Sequence, residues 1–253
     1  MLVLLPLSTG LSSKDPQKVY NQEASFPVRS YVRREGRITA AQQRALGTIA
    51  KRYLIPAGDD PSAFDAAFKR SAPRLLEIGC GAGETLVFLA ENHPENDYIG
   101  VEVYRPALGR LLQAIHKRSL NNIRLFADDA VRVLSHLIPE RTMEAIYLFF
   151  PDPWPKRKHH KRRLIQPGIV EMLRNALSEH GRLFIATDWD DYAAHIQKVM
   201  AQQTGLRNLA GDAVYAPRPR WRPLTRYESR ARQLGHKIRE LVYAEGDAPS
   251  RVV

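Results

Sequence analysis

The sequence predicts an α/β protein of the Rossmann-like type: a doubly wound, mostly parallel sheet with helices on both faces. Three observations carry this reading. Short apolar runs alternate with helical stretches from about residue 74 to residue 200. The runs are apolar along most of their length, as strands buried on both faces must be. The loop after the first run is glycine-rich, and acids stand at the ends of the runs, where ligands bind in such sheets. Right-handed crossovers then place helices on both sides.

The elements follow in order. Residues 1 to 37 show no sustained periodicity and end in the basic stretch RSYVRREGR, an expected arm carrying Arg33, Arg34 and Arg37. A single domain is expected over residues 38–253. A helix is expected from about Ala40 to Tyr53, ended by Pro56. GDDPSAFDAAFKRSAP reads as a turn and a short amphipathic piece. RLLEIG is the first strand, and ETLVFLAEN a helix stopped by Pro94. DYIGVEV is the second strand. PALGRLLQAIHKRS places Leu108, Leu111, Leu112 and Ile115 on one helix face, with Pro106 near its start. NIRLFA is a strand and AVRVLSHLI a helix. EAIYLFF is a strand, and QPGIVEMLRNALSEHG a helix for which Gly181 is the expected stop. RLFIATD is a strand and DDYAAHIQKVM a helix.

Composition narrows the function classes. The chain has 253 residues, 44% of them apolar, enough for one core. Lys and Arg number 38 against 27 Asp and Glu, a net charge of +11. That excess points to a polyanionic partner, nucleic acid or an acidic lipid surface. Cys80 is the only cysteine, so no intrachain disulfide forms, and a reducing, cytoplasmic setting is expected. No apolar run approaches the roughly 20 residues of a membrane span, so no membrane association is expected. The start, MLVLLPLSTG, lacks a basic segment and is broken by Pro6, which argues against a signal peptide. His159 and His160 are adjacent and lack partners at ligand spacing, so no metal site is expected. Nothing in the pattern separates a monomer from a homodimer.

The glycine loop EIGCGAGET sets Gly79, Gly81 and Gly83 between the first strand and its helix. Glycines there allow a tight turn and a close approach of backbone to ligand. Glu102 ends the second strand, where an acid accepts from ribose hydroxyls. A dinucleotide fingerprint would need a glycine at position 84, which is Glu84 here. Glu77, Glu102, Asp129, Asp152 and Asp188 lie in or at the ends of strands. So many acids disfavour a pyrophosphate and favour a positively charged nucleoside, S-adenosylmethionine.

The segment FFPDPWPKRKHHKRRL holds the second constellation. Asp152 is clamped between Pro151 and Pro153 and next to Trp154, and cations follow from Lys156 to Arg163. Beside a ligand site the run reads as a phosphate clamp, with Lys156, Arg157, Lys161 and Arg162 as candidates. Asp152 can accept from guanine N1–H and N2–H₂ or from the cofactor. It can also be only a turn residue between prolines.

On RSYVRREGRIT, LLEIGCGAGE, YIGVEVY, DDAVRVL, LFFPDPWPKRKHHKRRLIQ, LFIATDWDDYA and LTRYESRARQLGHKIREL, the chain resembles bacterial tRNA (guanine-N7)-methyltransferases from about Arg29 to its end. The resemblance implies a class I methyltransferase fold. It also implies methyl transfer from S-adenosylmethionine to N7 of a guanine in the tRNA variable loop, position 46. It further implies cofactor contacts at Glu77, Glu102, Asp129 and Asp152, with Asp152 also the active-site residue. Lys156, Asp188, Thr225, Arg226, Tyr227 and Glu228 would meet the substrate.

Bland roles compete for some of these residues. Thr225-x-x-Glu228 is also a capping box, for a helix that Gly235 would end. Asp188 is also a possible N-cap. Two other functions stay open. One is an exocyclic-amino RNA methyltransferase, whose Asp/Asn-Pro-Pro-aromatic motif DPW approaches. The other is a non-catalytic RNA-binding protein on the same fold. No cysteine lies near the Pro-Asp-Pro position, which argues against pyrimidine-C5 chemistry.

Overall fold

Among the described residues seven strands form one sheet. The computed structural model describes residues 36–56 and 62–246. Arg33 and Arg34 of the expected arm lie outside the described residues.

The first helical rod comprises α1 (Ala40–Arg44), a π-turn segment over Ala45–Ile49 and α2 (Ala50–Tyr53). Thr39 and Gln42 close a capping box at its start. The short helix α3 (Ser62–Ala66) leads to β1 (Arg74–Ile78), α4 (Glu84–Asn92), β2 (Asp97–Val101), α5 (Arg105–Lys117) and β3 (Ile123–Phe126). The chain then returns through α6 (Ala130–Arg132) and a π-turn over Val133–Leu137 to β4 (Met143–Phe149). A 3₁₀ turn over Arg157–Arg162 precedes α7 (Pro167–Ala176), β5 (Leu177–Thr187) and α8 (Asp190–Met200). The last part is β6 (Leu206–Asn208), α9 (Arg226–Gln233) and β7 (Arg239–Glu245).

Strands β1 to β5 pair in parallel, and β7 runs antiparallel to both β5 and β6. The predicted mostly parallel sheet is the one observed. The alternation of side chains across the strands builds two apolar layers. Leu76, Ile99, Ile146 and Ile185 point to the layer covered by Ile169, Leu173, Tyr192 and Ile196 of α7 and α8. Tyr98, Leu125, Tyr147 and Phe184 point to the other, covered by Leu86, Leu111, Leu112 and Ile115 of α4 and α5.

One boundary is corrected. The predicted helix through Gly181 stops at Ala176, and β5 starts at Leu177. Leu177 pairs with Met143, and the register then shifts before Ala145 meets Arg182. Gly181 packs against the Met143 carbonyl, where a Cβ would lie 2.7 Å away, so it marks a bulge rather than a helix end.

Gly83 is the N-cap of α4 in the left-handed region, φ 77°. A Cβ there would sit 2.1 Å from Leu111 Cδ1 in the buried layer. Gly83→Ala is therefore expected to lower stability by roughly 2–4 kcal/mol, from backbone strain and overpacking together. Urea unfolding checks this, and an unchanged midpoint would contradict it.

Candidate active site at the switch point of the sheet

The chain moves outward from β1 to β3, then returns to lay β4 on the other side of β1. The carboxyl ends of β1 and β4 therefore flank a crevice, the place where open α/β sheets bind ligands. A cleft of about 420 Å³ opens there. Gly79, Glu102, Tyr104, Asp128, Phe149, Phe150 and Asp152 are among its lining residues.

The glycine loop is pinned onto the end of β2. Gly79 and Cys80 N–H both donate to the Val101 carbonyl, at 2.8 and 3.2 Å. Gly79, Gly81 and Gly83 all have positive φ. Gly81 N–H donates to Glu102 Oε2 at 2.8 Å, and Tyr104 N–H to Oε1 at 2.7 Å. Each oxygen keeps a lone pair for a hydroxyl donor. Burial pushes the Glu102 carboxyl up, the backbone donors oppose that, and the nearby Asp152 charge adds to the rise. Glu77 lies behind the loop on the α4 side. Burial, with the Glu102 charge, pushes it up to about 8. Its Oε2 is buried without a partner.

Of the predicted cofactor residues, Gly79, Glu102 and Asp152 line the cleft, and Glu77, Gly81 and Gly83 shape it from behind. Asp129 is the N-cap of α6, accepting from Val131 N–H at 2.7 Å. Its neighbour Asp128, which the sequence reading passed over, lines the cleft and pairs with Arg132. The two adjacent acids have the same pattern in sequence, and only the turn decides which faces the cavity. Cys80 is buried, and its thiol is pushed well up by burial, unsuited to nucleophilic attack.

Asp152 stands exposed on a strained mount. Phe150 and Trp154, on either side of the Pro-Asp-Pro turn, have φ of 54° and 47°. Non-glycine residues adopt such angles only when their surroundings hold them. Phe150 N–H donates to the Ala186 carbonyl at 2.7 Å. Arg163, at the end of the basic run, is buried: it donates to the Pro153 carbonyl at 3.0 Å, pairs with Asp191 and stacks on Tyr192. It braces the mount, so the clamp expected over the run ends at Arg162. Lys156, Arg157 and Lys161 are exposed, and Arg162 lies over Trp154 at 5.1 Å.

The C-terminal segment closes the other side. Tyr227 stacks beside Phe150, centroids 4.9 Å apart, and its hydroxyl reaches Asp188 at 3.5 Å. Asp188 also meets His236 Nδ1 at 2.9 Å, and Trp189, not Asp188, occupies the N-cap position of α8. Thr225 caps α9, accepting from Glu228 N–H at 3.2 Å. Arg226 pairs with Glu84, tying α9 to the helix after the glycine loop. Glu228 is fully buried and meets Arg218, Arg222 and Arg232. Burial opposes its ionisation, but the Arg218 bond and the charges of Arg222 and Arg232 hold its carboxyl below the usual range.

Arg222 gave no signal in the sequence. It is buried, pairs with Glu240 and Glu228, and lies 4.8 Å over Phe149 and 5.5 Å over Phe150. Arg222 thereby backs the two residues that precede Pro151.

A glycine loop and strand-end acids around a nucleoside-sized cleft, beside a rigid open mouth, define a Rossmann-like methyltransferase of class I. A family model described as "Putative methyltransferase" matches residues 71–241. The tRNA (guanine-N(7)-)-methyltransferase of Nitrosomonas eutropha is 48% identical over 219 residues, 87% of this chain and 97% of that protein. Those of Chromohalobacter salexigens and Hydrogenovibrio crunogenus are 47% and 43% identical, covering 86% and 92% of this chain and 89% and 98% of theirs. The chain belongs to the tRNA (guanine-N7)-methyltransferase family.

Two outcomes follow from the cleft. Glu102→Ala removes the acceptor of the Gly81 and Tyr104 amides, and from the ribose role expected for Glu102 it should weaken cofactor binding by about 1.5–3 kcal/mol. Calorimetry with an unchanged constant in a folded variant would contradict this. A cationic ligand favours ionised Glu77 and Glu102, whose carboxyls are raised in the free protein. Binding should therefore release protons, and affinity should rise by up to about tenfold per pH unit between about pH 6 and 7.5. A flat affinity over that range would contradict the charge argument.

Proposed function

We propose that this protein transfers the methyl group of S-adenosylmethionine to N7 of guanine in the tRNA variable loop. The observation that carries the reading is the meeting, at one switch point, of an acid-lined cleft and the rigidly mounted, exposed Asp152. The cofactor-site acids and loop fit a positively charged nucleoside. Glu102 is preset by two amides with lone pairs to spare, and Glu77 has a buried oxygen without a hydrogen-bond partner. When bound, S-adenosylmethionine supplies a methyl group made electrophilic by its sulfonium.

The residues of the chain then have an alignment task. Guanine N7 carries an in-plane lone pair and no proton near neutral pH, so attack needs no base. Asp152 accepts from the N1–H and N2–H₂ edge and turns N7 toward the methyl carbon. Phe150 and Tyr227 offer ring faces at the mouth, and Asp188 accepts from the Tyr227 hydroxyl. Lys156 and its exposed neighbours hold the phosphates. Among the described residues no group of three or more His, Cys, Asp or Glu could hold a metal ion, and no helix is long and apolar enough to cross a membrane.

Incubation with total tRNA and methyl-labelled cofactor tests the reading. The expected product is a single site that is cleaved after borohydride reduction and aniline treatment. Label at a base resistant to that cleavage would overturn N7 and favour an exocyclic amine. Asp152→Ala should slow single-turnover transfer by roughly a hundredfold, the cost of a misplacement of about 1 Å.

A further inference from the structure

A second cleft, of about 430 Å³, lies between the end of α9 and the start of β7. Arg218, Arg232, Gly235, His236 and Glu240 are among the residues that line it. None of the site assignments above uses it. We propose that it is a binding site for a backbone phosphate of the tRNA, next to the target guanosine. The proposal rests on the tRNA reading above and deepens it.

The first argument is charge. Between residues 218 and 240 the chain carries eight Lys or Arg and two Glu, with no Asp. Both glutamates are buried and engaged with arginines. Glu240 is pushed up by burial to about 7, so near neutral pH it offers an incoming anion only part of a charge. The groove is therefore cationic on balance, with Arg220, Arg230 and Lys237 exposed on the same segment.

The second argument is the state of the arginines. Arg218 spends its donors on Glu228 and on the Pro219 and Pro223 carbonyls. It is a fixed wall charge. Arg232 is different: its side chain is 47% exposed and Nη2 is the donor that meets Glu228. Glu228 orients the guanidinium by one edge and leaves the other toward solvent. A guanidinium held in this way presents a preset fork to a phosphate.

The third argument is place. His236 lines the groove and also meets Asp188 at 2.9 Å, and Asp188 meets Tyr227 at the mouth of the first cleft. A nucleotide whose base enters that mouth carries its sugar-phosphate strand past His236. The groove is thus a contact separate from the Lys156–Arg162 run, and both adjoin the start of α8, where Arg163 meets Asp191 and His236 meets Asp188.

Arg232→Gln and Arg232→Lys test the assignment. Neither touches the apolar core, and both leave Glu228 with Arg218 and Arg222. Binding of total tRNA is measured from low to moderate salt, with cofactor affinity as the check on folding. For Arg232→Gln the log–log salt slope should fall by about 0.7–0.9, one phosphate contact, and affinity should drop by about tenfold. Arg232→Lys should keep the slope. An unaltered slope in the glutamine variant, or the same loss in the lysine variant, would overturn the site. Failure of the functional reading is distinguishable: wild-type protein would then bind tRNA without methylating it.

Discussion

The buried guanidinium of Arg222 is the interaction on which the arrangement of the mouth depends. It joins three parts that the chain order keeps apart: α9 through Glu228, β7 through Glu240, and the end of β4 through the faces of Phe149 and Phe150. A charge taken out of water is tolerated only with partners in place, and removing one partner costs about 3–5 kcal/mol. The Nη2 contacts of Arg222 with Glu228 and Glu240 therefore tie the segment to α9 and β7. Arg222 also lies over Phe149 and Phe150, and the strained backbone of Phe150 launches Pro151 and Asp152. Trp221, next in the chain, adds ring contacts to Tyr147, Phe149 and Phe184 at 5.2 to 6.4 Å. Asp152 itself makes few demands on the fold. Its aim is set by what lies beneath it.

Around this mount the charges are segregated. Glu77, Glu102, Asp128 and Asp152 surround or back the cleft, and exposed cations stand on the run from Lys156 to Lys161 and on the segment from Arg220 to Lys237. The inner acids suit a cationic nucleoside and repel phosphate. The outer cations suit RNA and would repel that nucleoside. Such opposed fields can coexist because solvent and salt screen the exposed outer cations, while burial raises the free carboxyls of Glu77 and Glu102 and a cationic ligand draws them into the charged form.

Much of this was legible in the sequence, for physical reasons. The parallel strands are buried on both faces and so read as continuous apolar runs. Glycine and proline mark their ends, and the switch point then follows from topology rules. Glu102 and Asp152 stand out because a single acid at the end of an apolar strand sits where ligands bind in such sheets, although Asp152 between two prolines also suits a turn. What was missed depends on contacts between distant residues. Arg222 sits in a stretch of alternating arginine and proline that reads as a solvated loop, and its burial depends on Glu240, eighteen positions on. Glu228 was expected to meet substrate; of the three arginines on its carboxylate only Arg232, at i+4 on α9, follows from a local pattern, while Arg218 and Arg222 come from outside the helix. β6 is three residues long, too short to reveal alternation, so the antiparallel edge of the sheet was invisible. The early start of β5 came from pairing with Met143, which outweighed the helical pattern of LSEH.

The central claim is that this site aligns an already nucleophilic atom and does not remove a proton. The single-turnover rate of methyl transfer, with tRNA and cofactor both saturating, tests it most directly when followed from about pH 6.5 to 8.5. The account predicts a nearly flat profile. A rise of about tenfold per pH unit, lost in Asp152→Asn with RNA binding intact, would contradict it and make Asp152 a general base.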